Sequence, residues 1–185
     1  MYETKRLILR NWQDSDIEPF IALNQDPKVM EFFPNLRTLE ETIAMINKCK
    51  QHFSTYGYTL FACELKQNHH FIGFVGLINN DVDLPFSPCV EIGWRLAHKY
   101  WGQGLALEAA QKCLDIGFNE FNLDEIVSFT AKINKKSERL MQKLGMVHDV
   151  MGDFYHPKMQ KEHPLSLHVL YRLNKLRFLS GNPHL

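Results

Sequence analysis

The sequence has no surplus of charge of either sign. Its 185 residues carry 21 Lys plus Arg against 21 Asp plus Glu, so no global field draws the chain to nucleic acid or an anionic membrane. A long hydrophobic run is also missing. The longest near-apolar stretch, Phe71 to Ile78, falls far short of the roughly 20 residues that span a bilayer. Met1 to Arg6 carries no signal-peptide core. Cysteine is scarce, and Cys49, Cys63, Cys89 and Cys113 form no CxxC pair, which excludes zinc-site spacing. Each sits among apolar neighbours and reads as a buried free thiol of a reducing compartment. The expectation is a cytoplasmic protein with neither a membrane nor a nucleic-acid partner. Repeats, linkers and low-complexity segments are absent.

Apolar residues at 45% and charged residues at 23% are globular proportions. The length suits one domain, residues 1–185. Leu7–Leu9 reads as a strand, followed by a helix capped by Asp14 or Ser15 and reaching Asn24. Thr38 with Glu41 fits a capping box opening a helix that stops at Gly57. Strands are expected over 58–65, 71–78, 89–96, 125–130, 146–155 and 165–173. Helices are expected over 104–120 and 137–144, with small residues Ala106, Ala110, Cys113 and Gly117 on one face of the first. The class is α+β, a mixed sheet covered by helices.

The informative segment is Val90-Glu91-Ile92-Gly93-Trp94-Arg95-Leu96 followed by Ala97-His98-Lys99-Tyr100-Trp101-Gly102-Gln103-Gly104-Leu105-Ala106. A strand enters a glycine-containing loop and then a helix. Backbone N–H groups at such a helix start suit a phosphate or pyrophosphate. Neither a Walker loop nor a dinucleotide fingerprint matches, because the Gly-Lys-Ser/Thr ending is missing and the Gly-x-Gly pair lies in mid-chain.

With its neighbours, this segment resembles the GNAT superfamily of N-acetyltransferases. Lys99 to Gly104 is similar to that family's Arg/Gln-x-x-Gly-x-Gly/Ala pyrophosphate loop, with Lys99 as the departure. Thr4 to Arg10 resembles the opening strand of the ribosomal-protein-alanine acetyltransferase branch. Asn134 to Met141 with Lys143 to Met146, His156-Pro157, and His163 through Tyr171 resemble further segments of that branch. The resemblance implies a mostly antiparallel mixed sheet with a splayed central parallel strand pair, Cys89–Leu96 and Glu125–Thr130, flanked by helices on both faces. It also implies acetyl-CoA as cosubstrate. The backbone of Trp94, Arg95 and Leu96 would pair with the pantetheine arm. Lys99, Trp101 and the amides of Gly102, Gln103, Gly104, Leu105 and Ala106 would hold the pyrophosphate, and Asn134 the far side of the arm.

Acyl transfer to an amine needs a base, an oxyanion donor and a proton for the thiolate. Glu91 is the candidate base, on the strand where many GNAT enzymes place a glutamate; a structural glutamate is the competing reading. Ser137 is the candidate acid, matching the serine of the ribosomal branch, although the position also suits a first-turn serine. Met141 stands where the wider superfamily carries a tyrosine. Cys89 offers a rival covalent route, poorly activated in apolar surroundings. His156, His163 and His168 with Asp153 and Glu162 match no metal-ligand spacing, so no metal is expected. Phe32 and Phe33 are placed as acceptor-lining residues by similarity. The acceptor is a protein N-terminus or a small-molecule amine, and the chain a monomer or homodimer. At pH 7 roughly a tenth of an α-amine is neutral, against less than about a thousandth of a lysine amine, so an N-terminal acceptor asks less of the base. A non-catalytic acyl-CoA sensor and a transferase of longer acyl groups are the alternatives.

Overall fold

The computed structural model describes residues 1–80 and 82–181. Its elements are β1 (Tyr2–Glu3), β2 (Leu7–Arg10), α1 (Ile17–Asn24), α2 (Leu39–Tyr56), β3 (Leu60–Leu65), β4 (Phe71–Asn80), β5 (Cys89–Leu96), α3 (Leu105–Asp115), β6 (Glu125–Ala131), α4 (Lys135–Lys143), β7 (Val147–His148), β8 (Phe154–Tyr155), β9 (Leu167–Asn174) and α5 (Lys175–Ser180). Contacts divide the chain into two compact units, Met1–Ile78 with Gly93–Lys112, and Asn79–Ile92 with Cys113–Leu185.

In the first unit β1 to β4 are hydrogen-bonded neighbours in sequence order, with Tyr2 opposite Leu9, Leu9 opposite Cys63 and Cys63 opposite Gly73. Alternation along β3 sends Leu60 and Ala62 to the face where α1 and α2 pack. There Trp12, Phe20, Leu23, Ile46, Cys49 and Phe74 complete a core. Phe20 is fully buried, and emptying its site would cost about 3–5 kcal/mol. Helix α2 opens as the sequence predicts: Thr38 accepts from Glu41 N while Glu41 accepts from Thr38 N. Helix α1 does not. Neither Asp14 nor Ser15 caps it. Its approach is fixed by Asp16, which accepts from Gln13 N at 2.8 Å and takes a two-pronged grip from Arg10 at 2.7 and 2.8 Å. The buried charge found a better partner than an open helix end.

The second half of β5 lies beside β4 in this unit, where Ala97 N donates to Ile72 O. The approach is so close that a Cβ on Gly73 would stand 2.1 Å from Arg95 O. In the second unit the first half of β5 runs parallel to β6, with Glu91 opposite Val127, and β6 pairs antiparallel with β9 along Glu125–Ala131. The sheet is therefore mixed, mostly antiparallel, with one parallel pair.

Two expected elements differ. The strand over 146–155 is broken into β7 and β8, because Asp149 accepts from Gly152 N and closes a turn between them. Helix α3 ends at Asp115 and continues to Glu120 as a widened turn, with Phe121 N donating to Ile116 O. Its buried face is Leu105, Ala109, Ala110, Cys113 and Leu114; Ala106 is only half-buried.

Candidate functional site

The loop between β5 and α3 is built by local bonds. A tight turn over His98–Tyr100 is closed by Tyr100 N donating to Ala97 O. Trp101 Nε1 donates to Leu96 O at 2.7 Å, which fixes the turn to the strand it leaves. Gly102 and Gly104 have φ of 73° and 76°, a region where an L side chain costs roughly 1–2 kcal/mol. These angles bend the chain into α3, whose first N–H groups have no partner within the helix and form its positive end.

The loop is braced from outside. Arg6 Nη1 donates to Gln103 O at 2.9 Å, and its Nε and main-chain N both bond Glu108 at 2.7 Å. Thr4 adds a 2.6 Å bond to the same carboxylate. Burial raises the Glu108 pKa, but the bonds from Thr4 and Arg6 outweigh it and leave the group below its ordinary value. Beside the loop opens a pocket of about 530 Å³ whose lining includes Lys5, Arg6, Lys66, Lys99, Tyr100 and Gln103. Its lining carries four cations, of which Arg6 is paired with Glu108 and Lys66 with Glu3.

Strand alternation sorts the expected pantetheine residues. Ala97, and two residues earlier Arg95, turn their main-chain groups toward β4. Trp94 and Leu96 turn theirs the other way. The Leu96 carbonyl is already taken by Trp101. The side chains of Arg95 and Leu96 are buried at 8% and 5% exposure. Leu105 packs into the core, and Lys99 Nζ stands 5.1 Å above the Tyr100 ring.

In the second unit, half-buried Glu91 accepts from Asn80 Nδ2 at 2.7 Å, while Asn80 Oδ1 accepts from Val82 N. The carboxylate is thereby held in one orientation. Asn134 caps α4 by accepting from Ser137 N. Its amide nitrogen donates to Thr130 Oγ1 at 3.0 Å and to Ser137 Oγ at 3.1 Å. A hydroxyl oxygen that accepts from Asn134 turns its own hydrogen away from it. Asn134 thus spends its side chain on orienting Ser137.

Cys89 corrects the reading of four buried thiols: it is only half-buried. Desolvation, with the charge of Glu91 second, still pushes its pKa to about 11, which leaves almost no thiolate at neutral pH. His168 is buried and bonds Ser166 O through Nδ1, and desolvation lowers its pKa to about 4. Among the described residues no group of three or more His, Cys, Asp or Glu is placed to hold a metal ion, and no helix is long and apolar enough to cross a membrane.

Phe32 and Phe33 lie half-buried in the turns between α1 and α2. Phe33 presents its ring to the Arg95 guanidinium at 4.2 Å. Asn80 and the Arg6–Glu108 brace were not legible in the sequence. Glu108, a first-turn acid of the helix after the glycine loop, was the one signal that could have raised it.

The acetyltransferase (GNAT) domain description matches residues 6–147. The chain belongs to the GNAT acetyltransferase family. It is similar to the Bacillus subtilis proteins YkkB, uncharacterized, with 33% identity over 77% of this chain and 83% of that one, and YnaD, an uncharacterized N-acetyltransferase, with 31% identity over 77% and 80%. Among solved structures it is similar to a GNAT-family acetyltransferase from Bacillus anthracis, with TM-score 0.77 and 26% identity over 94% of this chain and 98% of that one. A spermidine N-acetyltransferase from Vibrio cholerae, solved with CoA and spermine, shares the fold at TM-score 0.71 and 23% identity over 94% and 98%. Family and relatives make this GNAT protein an N-acetyltransferase, of a family that uses acetyl-CoA.

Proposed function

We propose that this GNAT protein moves the acetyl group of acetyl-CoA directly to a primary amine in a ternary complex, with residues 1–185 working as one domain. All three boundaries between its compact units fall inside β4, β5 and α3 rather than in exposed linkers. The observation that carries the functional reading is the turn of Gly102 and Gly104 into α3, with positive φ at both glycines and family membership behind it. A diphosphate is what such a helix start accommodates, and the cations of the adjoining pocket add to the attraction. The basic lining fits the anionic end of the coenzyme. When bound, the coenzyme supplies an activated thioester carbonyl.

In the first unit, the amides from Gly102 to Ala106 grip the diphosphate. The strand segment of Trp94, Arg95 and Leu96 offers its main chain to the extended arm as an added strand would. Phe32 and Phe33 line the acceptor side. In the second unit, Glu91, steadied by Asn80, takes the amine proton directly or through one water. The amine nitrogen forms a bond to the carbonyl carbon as the carbon–sulfur bond breaks. Ser137, oriented by Asn134, donates its hydroxyl hydrogen to the departing sulfur, as a hydroxyl can.

The test is an acceptor screen that follows free CoA, run with calorimetric titration of CoA. Release that requires an amine supports transfer. CoA binding with no turnover across peptides, polyamines and small amines supports a sensor instead. Faster release with longer acyl-CoA donors supports the other alternative.

A further inference from the structure

Arg95 is an anomaly in the first unit. Its side chain is 8% exposed, yet among the described residues no carboxylate bridges it. A buried cation is ordinarily paired, because an unpaired one costs several kcal/mol. What surrounds Arg95 is neutral. Asn24 Oδ1 accepts from Nη1 at 2.7 Å. Asn24 is itself fully buried and donates to Thr42, which fixes the orientation of its amide. The rings of Phe33 and Phe74 stand 4.2 and 5.4 Å from the guanidinium carbon. The Nε atom is buried with no partner.

The guanidinium is a planar fork. Asn24 occupies one terminal nitrogen, and aromatic rings approach the group. Among the described residues the side-on edge formed by Nε and Nη2 has no acceptor. That edge presents two parallel N–H groups, the arrangement that binds a carboxylate with two oxygens in plane. The charges nearby favour an anion as well. Burial, and after it the charge of Arg37, hold the Arg95 pKa down to about 9. Arg95 still carries its charge at neutral pH, and an anion would relieve both costs. Phe33 belongs to the turns between α1 and α2, a segment that can yield where a strand or helix cannot.

We propose that Arg95 is the acceptor-specificity residue, and that its open side-on edge receives a carboxylate carried by the amine that is acetylated. The proposal rests on the acetyl-transfer reading above. It names the acceptor class as a carboxylate-bearing amine, an amino acid or an acidic peptide, and it disfavours polyamines, whose charge matches that of Arg95.

The experiment uses the full chain with saturating acetyl-CoA and follows thiol release. Matched acceptors differ only in carboxylate against carboxamide: ω-amino acids of increasing length, acidic peptides and their amides, with spermidine as the cationic comparison. Carboxylates are expected to exceed their amides by about 10- to 100-fold in kcat/KM, the worth of hydrogen bonds to a charged group. Arg95→Gln brings that ratio near one by lowering the carboxylate values, and Arg95→Lys keeps part of it. Free amino acids or peptides leading the series identifies the source of the carboxylate. Turnover with no carboxylate preference, or an Arg95→Gln loss equal for both members of each pair, overturns the proposal and leaves acetyl transfer standing; the second result makes Arg95 a pin for the α1–α2 turns. If Arg95→Gln fails to fold, the wild-type ratio and Arg95→Lys still decide. Calorimetric binding of acetyl-CoA with no turnover of any amine overturns the transferase reading, and this proposal with it.

Discussion

Replacing Gly104 by alanine tests whether the loop conformation, rather than its composition, binds the coenzyme. Gly104 has φ of 76°, and the nearest atom to an added Cβ is Arg6 Nη2 at 3.6 Å. The methyl group therefore meets no clash, and the cost is backbone strain alone, about 1–2 kcal/mol. Gly145, just past α4, supplies a matched control: its φ is 79° and nothing lies within 4 Å of an added Cβ. Both variants should lose the same stability, roughly 2–4 °C of Tm per kcal/mol for a chain of this size. Only the loop variant should lose CoA. If Gly104→Ala relaxes toward negative φ, the amides that follow rotate off the diphosphate. One or two hydrogen bonds to a charged group are worth about 1.5–3 kcal/mol each, so the Kd should weaken by about 10- to 100-fold or more. Calorimetry and thermal melts on the two variants read both quantities. Equal Tm losses with CoA affinity unchanged in both would refute the assignment of these amides to the diphosphate.

Further outcomes follow from the same geometry. Glu91→Gln should lower kcat by roughly 10²-fold in stopped-time thiol assays, and an unaltered rate at neutral pH removes Glu91 from proton transfer. Ser137→Ala should lower kcat with only a small change in melting, whereas Asn134→Ala should lower kcat and also cost about 1 kcal/mol of stability as α4 loses its cap; full activity in Ser137→Ala assigns the serine to the helix start alone. His168 has its pKa lowered to about 4 by burial, against about 6.5 in an unfolded chain. The unfolded chain then binds the extra proton between those values, so stability falls as pH drops from about 6.5 to about 4, by at most about 3 kcal/mol. Denaturant melts of His168→Gln should show a flatter acid limb, and an unchanged slope would count against His168 as its source.

Much of the site was legible because its signals are local. Gly102 and Gly104 announce a turn between a strand and a helix, and the turn is there with both angles positive. Thr38 and Glu41 announce a capping box, and both of its bonds form. Where reading failed, a distant partner intervened. Asp14 and Ser15 are good caps by propensity, yet Asp16 sets the entry to α1 because it is gripped by Arg10, which distant Glu64 holds in place. The strand over 146–155 has suitable residues throughout, but Asp149 prefers Gly152 N and Arg172. Neither preference shows in a periodicity, which counts apolar spacing and not the side chains that arrive from elsewhere.

By itself the sequence determined what depends on near neighbours: element types, the glycine bend, the capping of α2, and a family resemblance carried by short segments. Tertiary structure alone decided the roles that need residues more than ten positions apart. It set Asn80 against Glu91, braced the loop through Arg6 and Glu108, and buried Arg95 against Asn24 and Phe33. The physical reason is that a hydrogen bond or a buried charge is defined by distance in space, and chain order constrains that distance only over a few residues.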